Sequence, residues 1–400
     1  MSDLTSFLGS FKRNYSEGSD VLKVQQNLKA SFWGTIGVSP LKPSAQGIYN
    51  PVIMSGNENG GAIAEKEGFQ TPGSVDPVQP TISAKLVVWP FEVTGSLIRQ
   101  SETSKVAFAR GLDAQQKDNL GRMYSDLNRQ AWGTGTGQIT LANGAGVATA
   151  SLVVDDPFQF RKGMKIDAYA SIGGAKEIDG IEVTAINRST STLTLASVQT
   201  WSDNAVIVKK NILNGVTAPN YKEIMGWRGI ADTTTFSTTF QGVAVSSYGD
   251  WTGNVVDAAS APVSQDLLQR TYNRAPIIGG EIPNKLCSNY GQARTFLNTE
   301  IQKTRYEPGK VEGGNTVLKW GPLEWMVDHT YPIGEIGMMR SEGIQKYQTK
   351  DVHLSSLSGQ GLYQNVGFDS IGGYYAYEGN IGVWKRNDQC RLTTLPEPTF

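Results

Sequence analysis

One segment constrains this chain more than any other, because it cannot fold by itself. Residues from about Ala45 to Pro80 consist largely of Gly, Pro, Asn, Gln and Ser, as in the run GNENGGAIAEKEGFQTPGSVDPVQP. Such a composition buries too little apolar surface to offset the entropy that is lost on ordering. The segment therefore needs a surface to lie on, and neighbouring copies of the same chain would supply one. This predicts a subunit of an assembly.

The bulk composition narrows the class of protein further. The chain has 400 residues, with 36 Lys plus Arg against 37 Asp plus Glu, so a protein that binds nucleic acid over its whole surface is excluded. Its two cysteines, Cys287 and Cys390, are too few for a disulfide framework or a zinc site and are predicted to be buried free thiols, as in a reducing compartment. No apolar run is long enough to span a membrane or to serve as a signal peptide. We expect a soluble protein that is made in a cytoplasm and does not contact a membrane.

The first half of the sequence predicts an arm, a projecting loop and a long helix. Val21, Val24, Leu28 and Phe32 have the spacing of a short amphipathic helix. The run Lys85–Thr94 predicts a strand, and its proline predicts that the strand lies at the edge of a sheet. Together with the preceding segment, this strand predicts a two-stranded loop whose outer part is near Gln70–Pro80. The helical periodicity of Thr103–Trp132 predicts the longest helix, which ends at a Gly-Thr-Gly run.

The second half predicts an inserted β domain and an α+β body. Alternating segments between about Ser151 and Lys210 predict a small antiparallel barrel or sandwich. The later elements are predicted as helices over Val263–Ala275 and from a cap at Asn289, a polar loop over Arg305–Asn315, and strands at Ile282–Cys287, Leu323–Asp328, Glu335–Met339, Gly343–Tyr347, Gly373–Tyr377 and Asn380–Lys385.

The residues do not assemble into a catalytic constellation, so the chain is predicted not to be an enzyme and to have no catalytic, cofactor-binding or metal site. Its two histidines, His329 and His353, occur without metal-ligand spacing, and no phosphate loop or nucleophile elbow is present. Asp155-Asp156 precede a proline, which favours a turn over a cation site. The tryptophans are dispersed, which favours packing over a sugar-binding platform; the set considered is Trp201, Trp227, Trp251, Trp320, Trp325 and Trp384.

The order of these parts, together with several local stretches, resembles a known family. The stretches are WGTGTGQ after the long helix, RKGMKIDAY at the insert, YKEIMGWRGIADTTTF from Tyr221 and EGNIGVWKRNDQCRLTTL over Glu378–Leu395. The whole chain resembles the major capsid proteins of tailed phages, whose Hong Kong 97-like fold is shared with encapsulin shells. None of the stretches is a catalytic fingerprint, so the resemblance rests on their order.

The resemblance implies an α+β fold with six parts. They are an N-terminal arm (1–45), an extended loop (46–88), a peripheral domain (89–150) with a spine helix (103–132), an inserted β-barrel-like domain (151–210), an axial domain with its connections (211–372) and C-terminal strands of the peripheral domain (373–400). The insert would project from the shell or contact a neighbour.

The resemblance also implies function and partners. The chain would self-assemble into pentamers and hexamers of an icosahedral virion shell around double-stranded DNA, bound without sequence specificity, with portal and decoration proteins as further partners. The start at Met1 without a charged helical prefix predicts a separate scaffolding protein. Lys12 and Arg13 would contact DNA phosphate or be solvated surface charges. Some family members crosslink a loop lysine to an asparagine, for which Lys66 and Lys85 are the candidates here.

Two alternatives stay open at this point. An encapsulin-like shell would hold cargo proteins and no genome. A β-rich glycan-binding or glycan-cleaving protein would use the tryptophans and carboxylates, and would be a monomer or small oligomer with a floppy 46–80 segment.

Overall fold

A computed structural model of the chain describes residues 31–44, 46–49, 51–66, 68–96, 105–212, 221–303, 319–355, 363–364 and 367–398. Several predicted features lie outside these ranges. They are Lys12, Arg13, the arm helix over Val21–Leu28, the first residues of the long helix at Thr103 and the loop Arg305–Asn315.

The described helices are five in number and differ greatly in length. They are α1 (Ser31–Thr35), α2 (Lys105–Trp132), α3 (Trp227–Ile230), α4 (Gln265–Arg274) and α5 (Tyr290–Lys303). Within the described part of the chain, no helix carries an apolar stretch long enough to cross a membrane.

Strands account for most of the remaining regular structure. Up to the inserted sheet they are β1 (Gly37–Val38), β2 (Ile48–Tyr49), β3 (Val52–Ser55), β4 (Asp76–Val78), β5 (Thr81–Ile82), β6 (Lys85–Thr94), β7 (Gln138–Leu141), β8 (Gly146–Val153), β9 (Lys165–Tyr169), β10 (Lys176–Asn187), β11 (Thr192–Trp201) and β12 (Val206–Lys209). The later strands are β13 (Thr239–Phe240), β14 (Val243–Ala244), β15 (Asn254–Asp257), β16 (Lys285–Ser288), β17 (Lys319–Trp320), β18 (Leu323–Val327), β19 (Ile336–Met339), β20 (Ile344–Leu354), β21 (Tyr363–Gln364), β22 (Ser370–Val383) and β23 (Cys390–Thr393).

The long helix α2 packs its last turns into the main core, as its periodicity predicts. Met123, Leu127 and Ala131 recur at helical spacing and are fully buried, together with Trp132 at the helix end. They pack against aromatic side chains from α1, α3 and the segment before β19. The helix ends at Trp132, and the N–H of Gly133 donates to the carbonyl of Gln130 at 2.9 Å.

The first large sheet is built around β22, which has partners on both sides. It pairs with β20 along one side and with β6 along the other, both antiparallel. The β6–β22 ladder contains ten residue pairs, from Thr94 opposite Ser370 to Lys85 opposite Gly379. Because β22 is the only strand of the described residues that pairs with β6, Pro90 removes no ladder hydrogen bond on a second side. The prediction of an edge strand here is confirmed.

The predicted strand pair Gly373–Tyr377 and Asn380–Lys385 is wrong, because β22 runs without interruption from Ser370 to Val383. The sequence Glu-Gly-Asn at 378–380 looks like a turn. In the structure Gly379 lies where a Cβ atom would meet the carbonyl oxygen of Tyr347 at 2.8 Å. This glycine permits a close approach of two strands and does not mark a turn.

The predicted projecting loop is a two-stranded ribbon. β2 pairs with β5, and further out β3 pairs with β4, both antiparallel. The outermost part is therefore residues 56–75, which we call the loop tip. The prediction that Gln70–Pro80 forms the outer part is correct only to residue 75, since Asp76–Val78 and Thr81–Ile82 belong to the ribbon.

The inserted domain is a six-stranded antiparallel sheet in the order β7-β12-β9-β10-β11-β8, with its own buried core. It begins at Gln138, before the predicted start at Ser151. The sequences of β7 and β8, QITL and GVATASLV, contain too few large apolar residues to show a clear alternation. β7 joins the sheet by pairing with β12, and β8 joins it by pairing with β11. The local sequence of β7 and β8 does not predict these partners.

The second large sheet has the order β15-β23-β19-β16-β18-β17, and α4 packs on its β15 and β23 strands. β20, which lies within the range 211–372, belongs to the first sheet, and β23, which lies within 373–400, belongs to the second. Strand periodicity indicates which face is buried but does not indicate the neighbouring strand, so local sequence does not assign either strand to a sheet.

The ends of α4 and α5 follow from capping residues. The N–H of Leu267 donates to Ser264 Oγ at 3.3 Å, and the N–H of Gln292 donates to Asn289 Oδ1 at 2.9 Å, so the predicted cap at Asn289 is confirmed. The first of these helices, predicted over Val263–Ala275, covers Gln265–Arg274 and does not end in a simple stop at Ala275. Instead a π-helical turn covers Ala275–Gly279, and Gly280 then ends it in the left-handed region with φ of 73°.

Both cysteines are free and buried, in β16 and β23, as predicted. Burial raises the pKa of the Cys390 thiol to about 12 and raises that of Cys287 further. Because the thiolate is the reactive form, we expect neither thiol to react with Ellman's reagent at pH 8 in the native protein, and both to react after unfolding in guanidinium chloride. Rapid labelling of one thiol in the folded chain would contradict this burial.

Candidate assembly surfaces

The loop tip presents apolar side chains to solvent. Phe69 is 93% exposed, and Ile63 and Val75 in the tip and Ile53 in the ribbon are also exposed. Single exposed apolar residues are common on protein surfaces, but several of them on one projecting ribbon form a surface suited to another protein. The tip therefore has the character of a contact surface.

Hydrogen bonds across the loop tip give it a defined shape. Asn57 Oδ1 accepts from the N–H of Asn59 at 3.0 Å and from the N–H of Gly73 at 2.8 Å. Asn59 Nδ2 donates to the carbonyl of Thr71 at 3.0 Å. The two legs of the tip are thus joined to each other, which lowers the entropy that a partner would have to remove on binding.

The root of the loop is fixed to the first sheet. Ile48 and Ile82 are buried with Tyr347 in a small cluster beneath the ribbon. The N–H of Thr81 donates to the carbonyl of Gln241 at 2.7 Å, and Asn380 Nδ2 donates to the carbonyl of Ser83 at 2.9 Å. The root of the loop is therefore held on the first sheet by both apolar packing and hydrogen bonds.

A second junction ties the chain segment at α1 to the long helix. The backbone N–H groups of Phe32 and Trp33 both donate to Asn128 Oδ1, at 3.1 and 2.9 Å. Asn128 Nδ2 in turn donates to Asp328 Oδ2 at 2.9 Å and to Thr330 Oγ1 at 2.7 Å. The ring of Phe32 also stacks on Trp132, with ring centroids 3.7 Å apart. One buried amide thus holds three parts of the chain together, and we call this group the Asn128 junction.

The inserted sheet is attached to α2 by a buried ionic cluster. Arg129 pairs with Glu223 and, at 3.0 Å, with Asp126, while Lys209 of β12 lies 2.6 Å from Asp126. Burial disfavours the charged form of Asp126, but Lys209 and Arg129 outweigh it and hold the pKa of the carboxyl well below its usual range. The Asp126 carboxyl therefore stays ionised, although burial lowers the pKa of Lys209, and the ion pairs orient the inserted sheet on the long helix.

The turn at Asp155-Asp156 buries a carboxyl group. Asp156 is 6% exposed and accepts hydrogen bonds from the N–H of Phe158 at 2.9 Å and from Gln159 Nε2 at 3.3 Å. Burial raises the pKa of Asp156 to about 6, against these opposing hydrogen bonds. The turn predicted from the proline is thus present.

This carboxyl makes stability depend on pH. A pKa raised in the folded state stabilises the fold while the group is protonated, and that contribution is lost as pH rises from about 4 towards 6. Asp156→Asn, which stays neutral, should raise the free energy of unfolding by about 1–2 kcal/mol at pH 8 and change it little at pH 4. Urea unfolding at both pH values measures this, with the exposed Asp250→Asn as control. An equal effect at the two pH values would contradict it.

The structure separates the other residues that the sequence singled out. Lys66 is exposed in the loop tip, whereas Lys85 Nζ donates to the carbonyl of Tyr221 at 2.7 Å and its pKa is lowered by burial. His329 lies 3.3 Å from Asp328, and His353 contacts the carbonyl of Asp351. Four of the six tryptophans considered are buried, which agrees with packing: Trp201, Trp227, Trp251 and Trp325.

Sequence reasoning missed the Asn128 junction and the ionic cluster. Both come from the run Asp-Leu-Asn-Arg-Gln over 126–130, in which every residue is buried. When polar residues lie on all faces of a helix at the end that is predicted to enter the core, some of them must be buried and hydrogen-bonded. This pattern in the sequence could have indicated buried polar contacts at 126–130. Local sequence does not, however, name their partners at 223 and 328, which are distant along the chain.

Comparison with solved structures decides the fold. A structure of the cyanophage A-1(L) capsid asymmetric unit matches with a TM-score of 0.57 and 10% identity, over 96% of this chain and 97% of that one. The chain has the Hong Kong 97-like capsid fold. At this identity the similarity concerns the fold alone.

Other solved structures match over similar lengths. The capsid of an empty GTA particle has a TM-score of 0.49 and 8% identity over 99% of this chain and 100% of that one. An encapsulin complex from Synechococcus elongatus PCC 7942 has a TM-score of 0.45 and 9% identity over 100% and 99%. No protein-family model and no curated protein matches the sequence.

Proposed function

We propose that this chain is the major capsid protein of a tailed phage, and that its copies form pentamers and hexamers of an icosahedral head around double-stranded DNA. The observation that carries the proposal is the loop tip, which is shaped, exposed and apolar, on a rigid root within a capsid fold. A monomer gains nothing from such a loop, whereas a closed shell buries it at every subunit contact.

The parts of the fold receive roles under this proposal. The ribbon β2–β5 and its tip extend over a neighbouring subunit. The long helix α2 with the sheet around β22 forms the peripheral body, the second large sheet forms the axial body, and the inserted sheet elaborates the peripheral body. The ionic cluster keeps the inserted sheet in register with the long helix during assembly.

The partners follow from the same proposal. Copies of this chain are the principal partner, with separate scaffolding, portal and decoration proteins, and packaged DNA that is contained without sequence specificity. The near-balanced formal charge of −1 suits a shell that encloses DNA without binding it over its whole surface. The chain would assemble in the host cytoplasm and end in the virion.

Assembly measurements test the proposal. The purified chain, examined by light scattering and negative-stain microscopy, should form capsomers or closed shells, and particles from infected cells should contain DNA. A monodisperse monomer under all conditions would overturn it. Shells that enclose protein cargo and no DNA would replace it by the encapsulin-like alternative.

A further inference from the structure

A cationic cavity lies between α2, β6 and the inserted sheet. Its volume is about 570 Å³, and its lining contains seven lysine or arginine side chains against a single carboxylate, Asp126. Lining residues come from the peripheral body (Trp89, Arg122) and from the inserted sheet and its connections (Arg161, Lys165). The cavity is therefore shaped by the packing of the insert against the long helix.

Much of this positive charge is not neutralised within the subunit. Arg129 and Lys209 are paired in the ionic cluster, and Arg122 pairs with Asp118 at 2.6 Å. Arg161 donates to the neutral hydroxyl of Ser125 at 2.6 Å. Within the described part of the chain, Arg161, Lys162 and Lys165 form no ion pair. Burial is the main cause that lowers the pKa of Arg161, the nearby Arg122 lowers it further, and Asp126 and Asp118 act in the opposite direction.

The cavity also has an apolar side. Val88, Trp89 and Pro90 of β6 line it together with Phe158 and Met164 of the insert. A phosphate group would use the cations and leave this apolar wall without a partner. The lining as a whole is complementary to a peptide segment that carries carboxylates and apolar side chains close together.

The loop tip has this composition. It carries exposed Glu58 and Glu65, and its exposed apolar residues include Ile63 and Phe69. Its sequence over 56–75 holds three glutamates and one lysine, so it is acidic. We infer that the cationic cavity receives the loop tip of a neighbouring copy of this chain, with Glu58 and Glu65 facing its lysines and arginines and Phe69 facing its apolar wall. This inference rests on the proposed function and names the surface to which the loop binds.

The contact would give the inserted sheet a part in assembly. Lys162 and Lys165 belong to the insert, so a neighbour's loop would touch the insert and the long helix at the same time. Exposed ion pairs are individually weak, but this contact recurs around every capsomer, so small changes in it accumulate.

Charge reversal with rescue tests the inference. Lys162→Glu with Lys165→Glu should raise the subunit concentration needed for shell formation at least about tenfold, and so should Glu58→Lys with Glu65→Lys. All four residues are exposed, so the fold should be kept, as thermal unfolding will show. Combining the two pairs should bring the threshold back to within about threefold of the wild type.

A matched control separates specific pairing from a change in net charge. The lysine reversals combined with Asp250→Lys and Glu324→Lys, two exposed acidic residues outside the tip and the cavity lining, should not rescue assembly. Reversal of the tip glutamates without effect on the threshold, or a failed rescue, would overturn the inference. Loss of DNA retention on lysine reversal alone would assign the cavity to phosphate instead. If the wild-type chain forms no shell, the proposed function itself fails.

Discussion

Deleting residues 57–74 from the loop tip will abolish shell closure and leave the subunit folded. The deletion joins Gly56 to Val75 directly beyond the paired residues Ser55 and Asp76. Ser-Gly-Val-Asp is then a two-residue hairpin with glycine first, which suits a type II′ turn. All described residues removed are exposed or nearly so, so the midpoint of thermal unfolding should stay within about 3 °C of the wild type.

Assembly should respond far more strongly than stability. The deletion removes Phe69 and Ile63 from every subunit contact, so the concentration needed for shells should rise by more than about a hundredfold. Light scattering and negative-stain microscopy measure the threshold. Replacing the turn Arg188–Ser191, whose first three residues are exposed, by Asn-Gly shortens another hairpin, and this control should assemble normally. Normal shells from the tip deletion would show that the loop does not join subunits.

Replacing Asn128 by alanine should be strongly destabilising, because its amide makes four buried hydrogen bonds. It leaves the N–H groups of Phe32 and Trp33 without their buried acceptor, and it removes a donor from Asp328 and from Thr330. Each buried polar group left unsatisfied costs about 1–3 kcal/mol, so the free energy of unfolding should fall by at least about 3 kcal/mol.

Urea unfolding of the unassembled subunit measures this loss. Asn298→Ala on α5 is a matched control, because Asn298 is exposed on a helix, and it should change the free energy of unfolding by less than about 0.5 kcal/mol. A loss below about 1 kcal/mol for Asn128→Ala would mean that other groups replace the amide. Increased proteolysis near residues 31–38 in the variant would show that the loss acts through the Asn128 junction.

Elements with strong local signals could be predicted from the sequence. The periodicity before Trp132 fixes the end of the long helix, and the glycine and proline content before Lys85 indicates a ribbon that lacks its own core. Proline within Lys85–Thr94 indicates an edge strand because it lacks the N–H that a central strand needs. These features depend on residues within one element, which is why local reasoning suffices for them.

Features that depend on distant partners could not be predicted. β20 and β23 have ordinary strand sequences, and only their pairing assigns them to the first and second sheets. Gly379 looks like a turn residue until the backbone at Tyr347 is seen beside it. The ionic cluster likewise joins residues near 126, 209 and 223, whose charges are unremarkable along the chain.

The pairing of β6 with β22 has a mechanical consequence. β6 continues directly from the ribbon that carries the loop tip, so a neighbour that pulls on the tip pulls β6 along its own axis. The hydrogen bonds between ten residue pairs oppose that pull in shear. They must break together, because the force acts on all of the pairs at once. A pull at right angles to the β6 axis would separate the same residue pairs one after another, starting at one end of the ladder. A load along β6 therefore meets the ladder in the direction in which it resists most.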